Sequence, residues 1–418
     1  MDILVRQARI IDPSSPFHQQ TTDIFIQNGI VAETGSIDRP ADKVIEAEGL
    51  CLSPGWTDIF SSFCDPGYEA RETLVSGAQA AAAGGYTDVM VLPNTAPVLH
   101  NKSGIEYIVQ RSARLPVTIH PIGAITKNTE GKELAEMYDM HQSGAVAFSD
   151  GTCTIQSAGL LLKALQYLRA IDKTIIQVPD DRSISASGLV NEGIMSTRLG
   201  LPGKSAIAEE LMIARDIELA QYTNSKLHIT GISTGRGLDL IRGAKAAGIQ
   251  VTCSVTPNHL FFTDEDLPGY DTNLKLNPPL RTAADRAALR AGVLDGTVDC
   301  IAAHHQPQDP DHKVVEFEYA QYGMTGLETC FAVVRTVLPG LSIEDIVRLF
   351  STAPRAIFGL APLTVALGSA AAFSLFLPDA VWTPGASRSR SKNTAFTGRT
   401  LTGKPFGIIN KDQLFLSE

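Results

Sequence analysis

The sequence lacks the features that mark several specialised classes of protein. It has no run rich in lysine and arginine, and its formal net charge of -10 at pH 7 disfavours nucleic acid as a partner. The N-terminal segment MDILVRQARIID has no basic stretch followed by an apolar one, so no signal peptide is predicted. No apolar run reaches the roughly 18 residues of a membrane helix. These absences predict a cytoplasmic protein that binds neither membrane nor nucleic acid.

Paired cysteines and nucleotide-binding glycines are missing as well. The six cysteines, at positions 51, 64, 153, 253, 300 and 330, form no Cys-x-x-Cys motif, which favours reduced thiols over a disulfide framework. No Gly-x-Gly-x-x-Gly motif follows the first strand pattern, so dinucleotide binding is not supported. With 418 residues, 44% of them hydrophobic, the chain can bury a large core, and we predict one large domain plus a smaller module.

The smaller module is predicted from strand patterns at both ends of the chain. Near the N-terminus, Asn28-Gly29 lies between two apolar runs, which is a strong hairpin signal. After residue 362 the helical pattern stops, and short apolar runs at 373–376, 380–383 and 406–409 alternate with Pro, Gly and Ser. We predict that residues 1–53 and 363–418 together form one small β-sandwich module. The basic, serine-rich segment 387–392 is interpreted as a solvated turn.

Residues 54–362 alternate short apolar runs with longer helical patterns. The strand patterns lie at 57–60, 87–92, 118–122, 146–149, 174–178, 226–229, 250–254 and 298–302. The helical patterns lie at 71–83, 105–114, 157–170, 205–222, 237–247, 283–293 and 326–338. Eight strands interleaved with helices over this length predict an α/β fold of the (β/α)8 TIM-barrel type. An open, doubly wound sheet is the alternative.

Short motifs along the chain resemble the dihydroorotase family of the amidohydrolase superfamily. They occur in the family's order and are Pro54-Gly55-Trp56-Thr57-Asp58, Asp65-Pro66-Gly67, Ala83-Gly84-Gly85-Tyr86-Thr87, Leu92-Pro93-Asn94-Thr95, Gly144 to Phe148, Asn191-Glu192-Gly193, Leu201-Pro202-Gly203, Ile232-Ser233-Thr234, Val255-Thr256-Pro257, Asn277-Pro278-Pro279-Leu280-Arg281 and Tyr322 to Glu328. The resemblance implies a barrel of the metal-dependent hydrolase type. It also implies a zinc-activated hydroxide that opens or closes a cyclic amide.

The first barrel strand departs from the family's pattern of metal ligands. The resemblance implies a His-x-His pair there, because side chains two residues apart on a strand reach the same metal. This chain has Phe60 and Ser62 instead. Phe60 has no donor atom, and a serine hydroxyl is a poor zinc ligand at neutral pH. The arginine that would follow and bind the substrate carboxylate is replaced by Cys64.

The departures continue at the later strands. Asp150 lies where the family has a bridging carboxylate. The two remaining histidine positions are occupied by Val178 and Gly231, and the position of the general base is occupied by His304. Four histidines and the base are therefore replaced, whereas structural zinc and catalytic zinc both need three or four well-placed protein ligands. We predict that no metal is bound and that no catalytic residue is intact.

Two alternatives keep some chemistry at this site. A relocated metal site could be built from Cys64, Asp150 and His304. Asn94, Asn277, Arg281 and Cys64 could persist as remnants of ligand binding, or the loops that carry them could serve only to fold the rim of the barrel. Phe60 and Val178 predict that the mouth of the barrel is filled, since apolar side chains in a former polar site would pack together.

The resemblance leads to three hypotheses about function. The first is a non-catalytic, dihydroorotase-like protein of pyrimidine biosynthesis that serves as a structural partner of aspartate carbamoyltransferase, of a second copy of itself in a homodimer, or of both. The second is an active cyclic amidohydrolase with an altered or metal-poor site. The third is a sensor that binds a pyrimidine intermediate without converting it. The choice of partner depends on family analogy alone.

Overall fold

Eight parallel strands form a nearly closed barrel in the computed structural model, which describes residues 1–417. They are Trp56–Ser61, Tyr86–Val91, Thr118–Gly123, Ala147–Phe148, Ile175–Gln177, Leu227–Thr230, Val251–Val255 and Cys300–Ile301, and each pairs with its neighbour in chain order. The first and last strands meet through a bridge between Ser61 and His305, where the Ser62 amide donates to the His305 carbonyl at 2.8 Å. The predicted (β/α)8 barrel is confirmed, with all eight strands at the expected places.

Helices follow the strands and cover the outside of the barrel. The longer helices are Leu74–Ala83, Lys102–Ser112, Ala158–Arg169, Ile207–Thr223, Gly235–Ala246, Ala283–Leu294 and Cys330–Val337. Five of them begin at a serine, threonine or asparagine whose side chain accepts from a backbone amide of the first turn, which satisfies a donor that the helix leaves free. These capping residues are Thr73, Asn101, Ser157, Thr234 and Thr282.

Shorter elements occupy the loops. The short α-helices are Met137–Gln142, Arg182–Ser185, Ile194–Leu199, Pro257–Phe261, Pro310–Lys313, Ile343–Val347 and Ala353–Phe358. Single turns of 3-10 helix are Lys127–Thr129, Asp264–Asp266 and Thr272–Leu274. One turn of π-helix is Arg348–Thr352. A small two-stranded parallel pair, Val190–Asn191 with Gly203–Lys204, crosses above the barrel and brings Lys204 towards its mouth.

The two ends of the chain build one eight-stranded sheet, which we call the terminal sheet. Its strands are Asp2–Ile10, Thr21–Gln27, Ile30–Gly35, Lys43–Ile45, Cys51–Pro54, Ala372–Trp382, Leu401–Asn410 and Gln413–Leu416. The halves join where Ala372–Trp382 pairs antiparallel with Cys51–Pro54. Apolar residues from both halves, including Ile3, Leu52 and Phe373, form its own core. The predicted association of the chain ends is therefore found.

An aromatic cluster joins the terminal sheet to the barrel. Trp56, at the start of the first barrel strand, is fully buried, and its ring centroid lies 4.9 Å from Phe331, 5.3 Å from Phe350 and 5.2 Å from Phe376. Its indole N–H donates to the Ser53 hydroxyl at 3.1 Å, so the polar atom is satisfied as well. Aromatic contacts of this kind each contribute about 0.5–1.5 kcal/mol beyond area burial.

The segment 387–392 is not the solvated turn that its composition indicates. Ser389 and Ser391 are buried, and the Ser389 hydroxyl donates to the Glu72 carboxylate. The Arg390 amide also donates to Glu72, at 2.9 Å, and the Ser391 hydroxyl donates to the Arg71 carbonyl at 2.6 Å. The correction has a clear cause: Glu72 is itself fully buried, and its carboxylate requires donors that this segment supplies.

The cysteines form no disulfide within the residues that the structure describes. All six cysteines are free thiols, and five of them are buried. Within residues 1–417, no helix combines the length and apolar character that crossing a bilayer requires.

Candidate functional site

A cavity of about 750 Å³ opens at the carboxyl ends of the barrel strands, where barrels of this type carry their active sites. We call it the mouth cavity. Of the residues singled out from the sequence, Ser62, Cys64, Asn94, Val178 and Asn277 line it. They come from four different loops, so the fold brings together positions that are far apart in the chain. Arg281, Asp150, Phe60, Gly231 and His304 are not among the lining residues.

Below the mouth cavity, two rings fill the position of the implied metal site. Phe60 and His304 stack with their centroids 4.5 Å apart and their planes at 28°. Phe60 is fully buried and belongs to an apolar cluster that also contains Val178, Ile176 and Phe358. We call Phe60, Val178, Gly231 and His304 the ring layer. The expectation that the barrel mouth is filled is therefore wrong for the mouth cavity, which is open, although the side chains of the ring layer are closely packed.

Gly231 and His304 fit each other sterically. A Cβ atom at residue 231 would lie 2.8 Å from Cε1 of His304, which is closer than carbon atoms approach. Gly231 also has φ of +72°, a conformation that glycine adopts without the strain other residues incur. The ring at 304 thus occupies the space that a side chain from 231 would need. The two departures from the family's pattern therefore belong together.

His304 lies in an environment that keeps its imidazole neutral. Burial, together with the nearby histidines 259 and 228, lowers its pKa to about 3. Its Nε2 atom lies 2.8 Å from the Thr230 hydroxyl, which supplies one hydrogen bond. A general base must reach the substrate proton and have a pKa near the working pH. His304 meets neither condition, because it does not line the mouth cavity and is protonated only in strong acid.

Ser62 and Cys64 face the mouth cavity together. The Ser62 hydroxyl and the Cys64 sulfur lie 3.4 Å apart. Burial raises the pKa of the Cys64 thiol to about 11, so the thiol stays protonated at neutral pH. A nucleophilic cysteine needs a lowered pKa and a base beside it. Cys64 therefore contributes a neutral, polarizable wall to the cavity.

Asp150 points away from the mouth cavity. One carboxylate oxygen accepts from the backbone amides of Ile125 and Thr126, each at 2.9 Å, and the other accepts from the Thr126 hydroxyl. Burial raises the pKa of Asp150 to about 6, although these donors oppose that shift. The carboxylate anchors a loop, which fits a hydrogen-bonded polar group at a strand end.

The side chains present do not fit a zinc ion. Phe60 and Val178 have no donor atom, Gly231 has no side chain, and the Asp150 oxygens are occupied by three donors. Within residues 1–417, no three His, Cys, Asp or Glu side chains are grouped so as to hold a metal. The relocated site from Cys64, Asp150 and His304 is likewise not assembled there, because each of the three is directed to a different partner.

Asn94, Asn277 and Arg281, the other polar residues considered as remnants of ligand binding, make different contacts. The Asn94 amide donates to the Asp150 carbonyl at 3.1 Å, and its oxygen accepts from the Thr152 amide, so it holds a loop at the cavity wall. Asn277 lines the cavity and accepts a hydrogen bond from Lys204. Arg281 is buried and does not reach the cavity, which corrects its interpretation as a ligand-binding residue.

The contacts of Arg281 explain this correction. Its guanidinium donates to the Ser233 hydroxyl at 3.1 Å, to Asn191 at 3.0 Å and to the Lys204 carbonyl at 2.8 Å. It also lies 3.6 Å from the buried Glu209 carboxylate. A guanidinium with all these partners ties the barrel to the loop above it and has no need of a ligand.

The other buried histidines have structural partners. His228 lies within hydrogen-bond distance of Thr252 and Ser254, and His259 within that of Thr256 and the Pro278 carbonyl. His305 has a different partner from His304, since its Nε2 atom lies 3.3 Å from the Glu72 carboxylate. None of these rings lines the mouth cavity.

Reasoning from sequence missed the central ion pair of the mouth cavity. The Lys204 ammonium donates to Asp180 Oδ2 at 2.7 Å and to Asn277 Oδ1 at 2.6 Å. Both partners of the ion pair are buried, with 8% and 9% of their side chains exposed. The acidic pair Asp180-Asp181 was visible in the sequence, but nothing there indicated which lysine would meet it.

Comparison with known proteins shows that the chain belongs to the dihydroorotase family. Residues 49–236 match a family described as dihydro-orotase-like. A dihydroorotase of Pelotomaculum thermopropionicum is 41% identical over 98% of this chain and 97% of its own length. One from Syntrophus aciditrophicus is 39% identical over the full length of both. The L-hydantoinase of Arthrobacter aurescens has the same fold, with a TM-score of 0.86 at 24% identity, covering 99% of this chain and 95% of its own.

Proposed function

We propose that this chain, which belongs to the dihydroorotase family of the amidohydrolase superfamily, is a non-catalytic member that serves as a structural partner of aspartate carbamoyltransferase. The observation that carries the proposal is the stacked pair Phe60 and His304, which occupies the place of the implied metal site. A ring layer in van der Waals contact leaves no room for an ion and its bound water.

The chemistry of the family explains why this layer matters. Opening an unactivated cyclic amide requires a strong nucleophile and stabilisation of the developing oxyanion, which zinc and a carboxylate base supply together. In this chain the base position carries a neutral imidazole below the cavity. The cavity itself offers a protonated thiol, amide groups and the Asp180 carboxylate, which is paired with Lys204. None of these groups activates water at neutral pH.

The structural role is supported by what the chain keeps. The barrel, its helical caps and its joint with the terminal sheet are complete around the stacked rings of Phe60 and His304. A protein that keeps an intact barrel after losing the reacting groups is suited to work through its outer surface. The choice of aspartate carbamoyltransferase as partner follows from the resemblance to inactive dihydroorotase-like subunits, and association with a second copy of the chain is compatible with it.

Two measurements on the purified protein test the loss of catalysis. Metal analysis after dialysis is expected to find far less than one zinc per chain, and dihydroorotate is expected not to be opened above the uncatalysed rate. The dihydroorotase of Pelotomaculum thermopropionicum, assayed in parallel, is the positive control. A full equivalent of retained zinc together with turnover would overturn the proposal.

A third measurement tests the partner. The chain and an aspartate carbamoyltransferase from the same organism are mixed and separated by size-exclusion chromatography. Co-elution as a complex of defined mass is expected. Separate elution of both proteins at micromolar concentration would contradict the structural-partner role while leaving the loss of catalysis untouched.

A second candidate function is an active cyclic amidohydrolase with an altered site. The observation that favours it is the open mouth cavity with Cys64, Asn94 and Asn277 on its wall, together with curated relatives that carry the name dihydroorotase. The turnover assay separates the two candidates. Ring opening that survives removal of metal by a chelator would favour this second candidate.

A further inference from the structure

A second cavity, of about 260 Å³, lies beside the mouth cavity, and we call it the side cavity. Its wall is formed by residues from the segments 272–273, 308–314 and 390–393, together with Ala70. Among the described residues, Gln308 alone lines both cavities, so it belongs to the wall between them. The volume lies below the roughly 300–1,000 Å³ of sites for drug-sized ligands, which favours a small ligand.

The side cavity carries an excess of positive charge. Lys313, Arg390 and Lys392 line it, and Asp309 is the only carboxylate among its lining residues in the described part of the chain. The Asp309 carboxylate lies 3.5 Å from the Arg71 guanidinium, which offsets its negative charge. The whole chain has a net charge of -10, so the positive charge of this cavity is a local feature.

Lys313 is a buried cation without an ion-pair partner within residues 1–417. Only 5% of the residue is exposed, and its ammonium donates to the carbonyls of Thr272, at 2.7 Å, and Gln321, at 2.8 Å. Burial, together with the nearby Lys275, lowers its pKa to about 7, although Asp271 opposes the shift. The two carbonyls orient the ammonium without neutralising it, and one of its three N–H groups is left for a ligand.

The other two cations belong to the segment 387–392, in which buried and exposed side chains alternate. Ser389 and Ser391 are buried, whereas Arg390 and Lys392 are exposed and line the side cavity. The Lys392 ammonium donates to two backbone carbonyls of the same segment. The backbone amide of Arg390 is held by Glu72, but its guanidinium has no hydrogen bond or ion pair within residues 1–417. The fold therefore fixes the backbone of both cations and leaves their charges without a carboxylate.

We propose that the side cavity binds a phosphate dianion, free or as the phosphoryl group of a small molecule, through Lys313, Arg390 and Lys392. A guanidinium offers paired donors to two phosphate oxygens, and the ammonium groups add point charges. A dianion suits the cavity better than a monoanion, because three cations without carboxylate partners line it. The site lies outside the mouth cavity and does not depend on the proposed loss of catalysis.

Isothermal titration of the full chain at pH 8 tests the proposal with phosphate, sulfate, methyl phosphate and acetate. Saturable binding of phosphate and sulfate is expected, with acetate much weaker at equal ionic strength. Methyl phosphate separates the two sources of the dianion: binding as tight as that of phosphate indicates a phosphorylated molecule, and much weaker binding indicates free phosphate. Added sodium chloride should weaken the binding of both dianions, because exposed charges are screened.

Variants of exposed arginines locate the site. Arg390→Gln is expected to weaken the binding of phosphate and sulfate roughly ten- to a hundredfold, the effect of losing a charge-assisted hydrogen bond. Arg390→Lys should restore part of the affinity. Arg182→Gln changes the mouth cavity instead, and Arg114→Gln changes neither cavity, so both should bind like the parent chain. Melting temperatures of all these variants should agree, since the three arginines are exposed.

Proton uptake is a second readout, because sulfate itself does not titrate near pH 8. At this pH the Lys313 amine is mostly neutral, and a bound dianion favours its charged form, so we expect an uptake of roughly half a proton or more per sulfate. Titrations in buffers of different ionisation enthalpy measure this uptake. Lys313→Arg keeps a cation that is always protonated, so it should bind sulfate without the uptake.

The same variant assigns the proton to one group. Besides the two other cations of the side cavity, the titratable or charged groups around Lys313 are Asp271, Lys275, Asp309, His312 and Glu316. All of them are unchanged in Lys313→Arg, so a loss of uptake in this variant identifies Lys313 as the group that gains the proton.

Several results would overturn the proposal. It fails if neither phosphate nor sulfate binds saturably, if acetate binds as tightly as sulfate, or if Arg390→Gln and Arg114→Gln bind equally. Loss of binding in Arg182→Gln would place the anion in the mouth cavity, and unchanged uptake in Lys313→Arg would remove Lys313 from the site. If Lys313→Arg does not fold, the exposed Arg390 variants still decide the question. Because no activity is measured, these outcomes are separate from those of the turnover assay.

Discussion

The ring layer and the mouth cavity lie next to each other at the same end of the barrel, yet they differ in chemical character. The ring layer is apolar and close-packed, and its only hydrogen-bonding side chain, His304, is neutral. The mouth cavity is open, and the buried Lys204 ammonium on its wall is paired with the buried Asp180 carboxylate. Side chains thus fill one layer and leave the other open. A filled layer stabilises the fold, whereas an open, charged cavity is suited to binding a ligand.

The largest expected effect comes from emptying the ring layer. Phe60→Ala removes a fully buried ring and its stack on His304, and we expect the free energy of unfolding to fall by about 3–5 kcal/mol. Urea unfolding measures this loss of free energy. Tyr222→Ala, at a side chain 77% exposed, is the control and should change stability by less than about 0.5 kcal/mol. A loss below about 1 kcal/mol for Phe60→Ala would mean that the layer is loosely packed.

The next effect tests the fit between the two replaced positions. Gly231→Ala places a Cβ atom against His304 and puts alanine at positive φ, so we expect a loss of about 2–4 kcal/mol. In a His304→Ala background the clash disappears and only the backbone strain remains. The double-mutant cycle should therefore show a coupling of about 1 kcal/mol or more. Additive losses would show that the two positions are independent.

In the mouth cavity the ion pair is the sensitive element. Lys204→Met leaves Asp180 buried without its cation, and we expect a loss of about 3 kcal/mol in the free energy of unfolding. The double variant Lys204→Met with Asp180→Asn should lose less, because no charge is left unpaired. The exposed pair of Lys226 and Asp172 is the control, and Lys226→Met should cost less than about 1 kcal/mol. Equal losses at both pairs would contradict a buried, built site.

The smallest of these effects depends on pH. Burial holds the pKa of His304 at about 3, below the value of about 6.5 in the unfolded chain. Between these values the unfolded chain binds a proton that the folded chain does not, so stability falls as the pH is lowered. From pH 6.5 to pH 5 this histidine should account for a loss of about 2 kcal/mol. Histidines 228 and 259, with pKa values near 3 and 4, act in the same direction.

A single variant isolates the contribution of His304. His304→Phe keeps a ring in the layer but cannot take up a proton. Unfolding measured between pH 5 and pH 7 should therefore depend less steeply on pH than in the parent chain. Identical slopes would show that the His304 ring is protonated as readily in the folded protein as in the unfolded one.

The barrel could be predicted from the sequence because its strands are short, apolar and regularly spaced between helical patterns. The terminal sheet could be predicted for a similar reason, since helical periodicity is missing at both ends. The burial of Ser389 and Ser391 in the segment 387–392 could not, because serines and basic residues form the same sequence pattern in a solvated turn as in a segment that binds a buried carboxylate such as Glu72. The interpretation of Arg281 as a ligand-binding residue was wrong for a related reason. Its loop motif resembles a ligand-binding one, but Glu209, Asn191 and Ser233 already satisfy it.

The sequence by itself determined which side chains are absent, and therefore which metal ligands the chain does not have at the family's positions. That information is local, since Phe60, Val178 and Gly231 lack donor atoms in any fold. Only the tertiary structure decided what took their place. The contact of His304 with Gly231 and the pairing of Lys204 with Asp180 join residues 73 and 24 positions apart. Such contacts are set by barrel closure and loop packing, and no local pattern of residues encodes them.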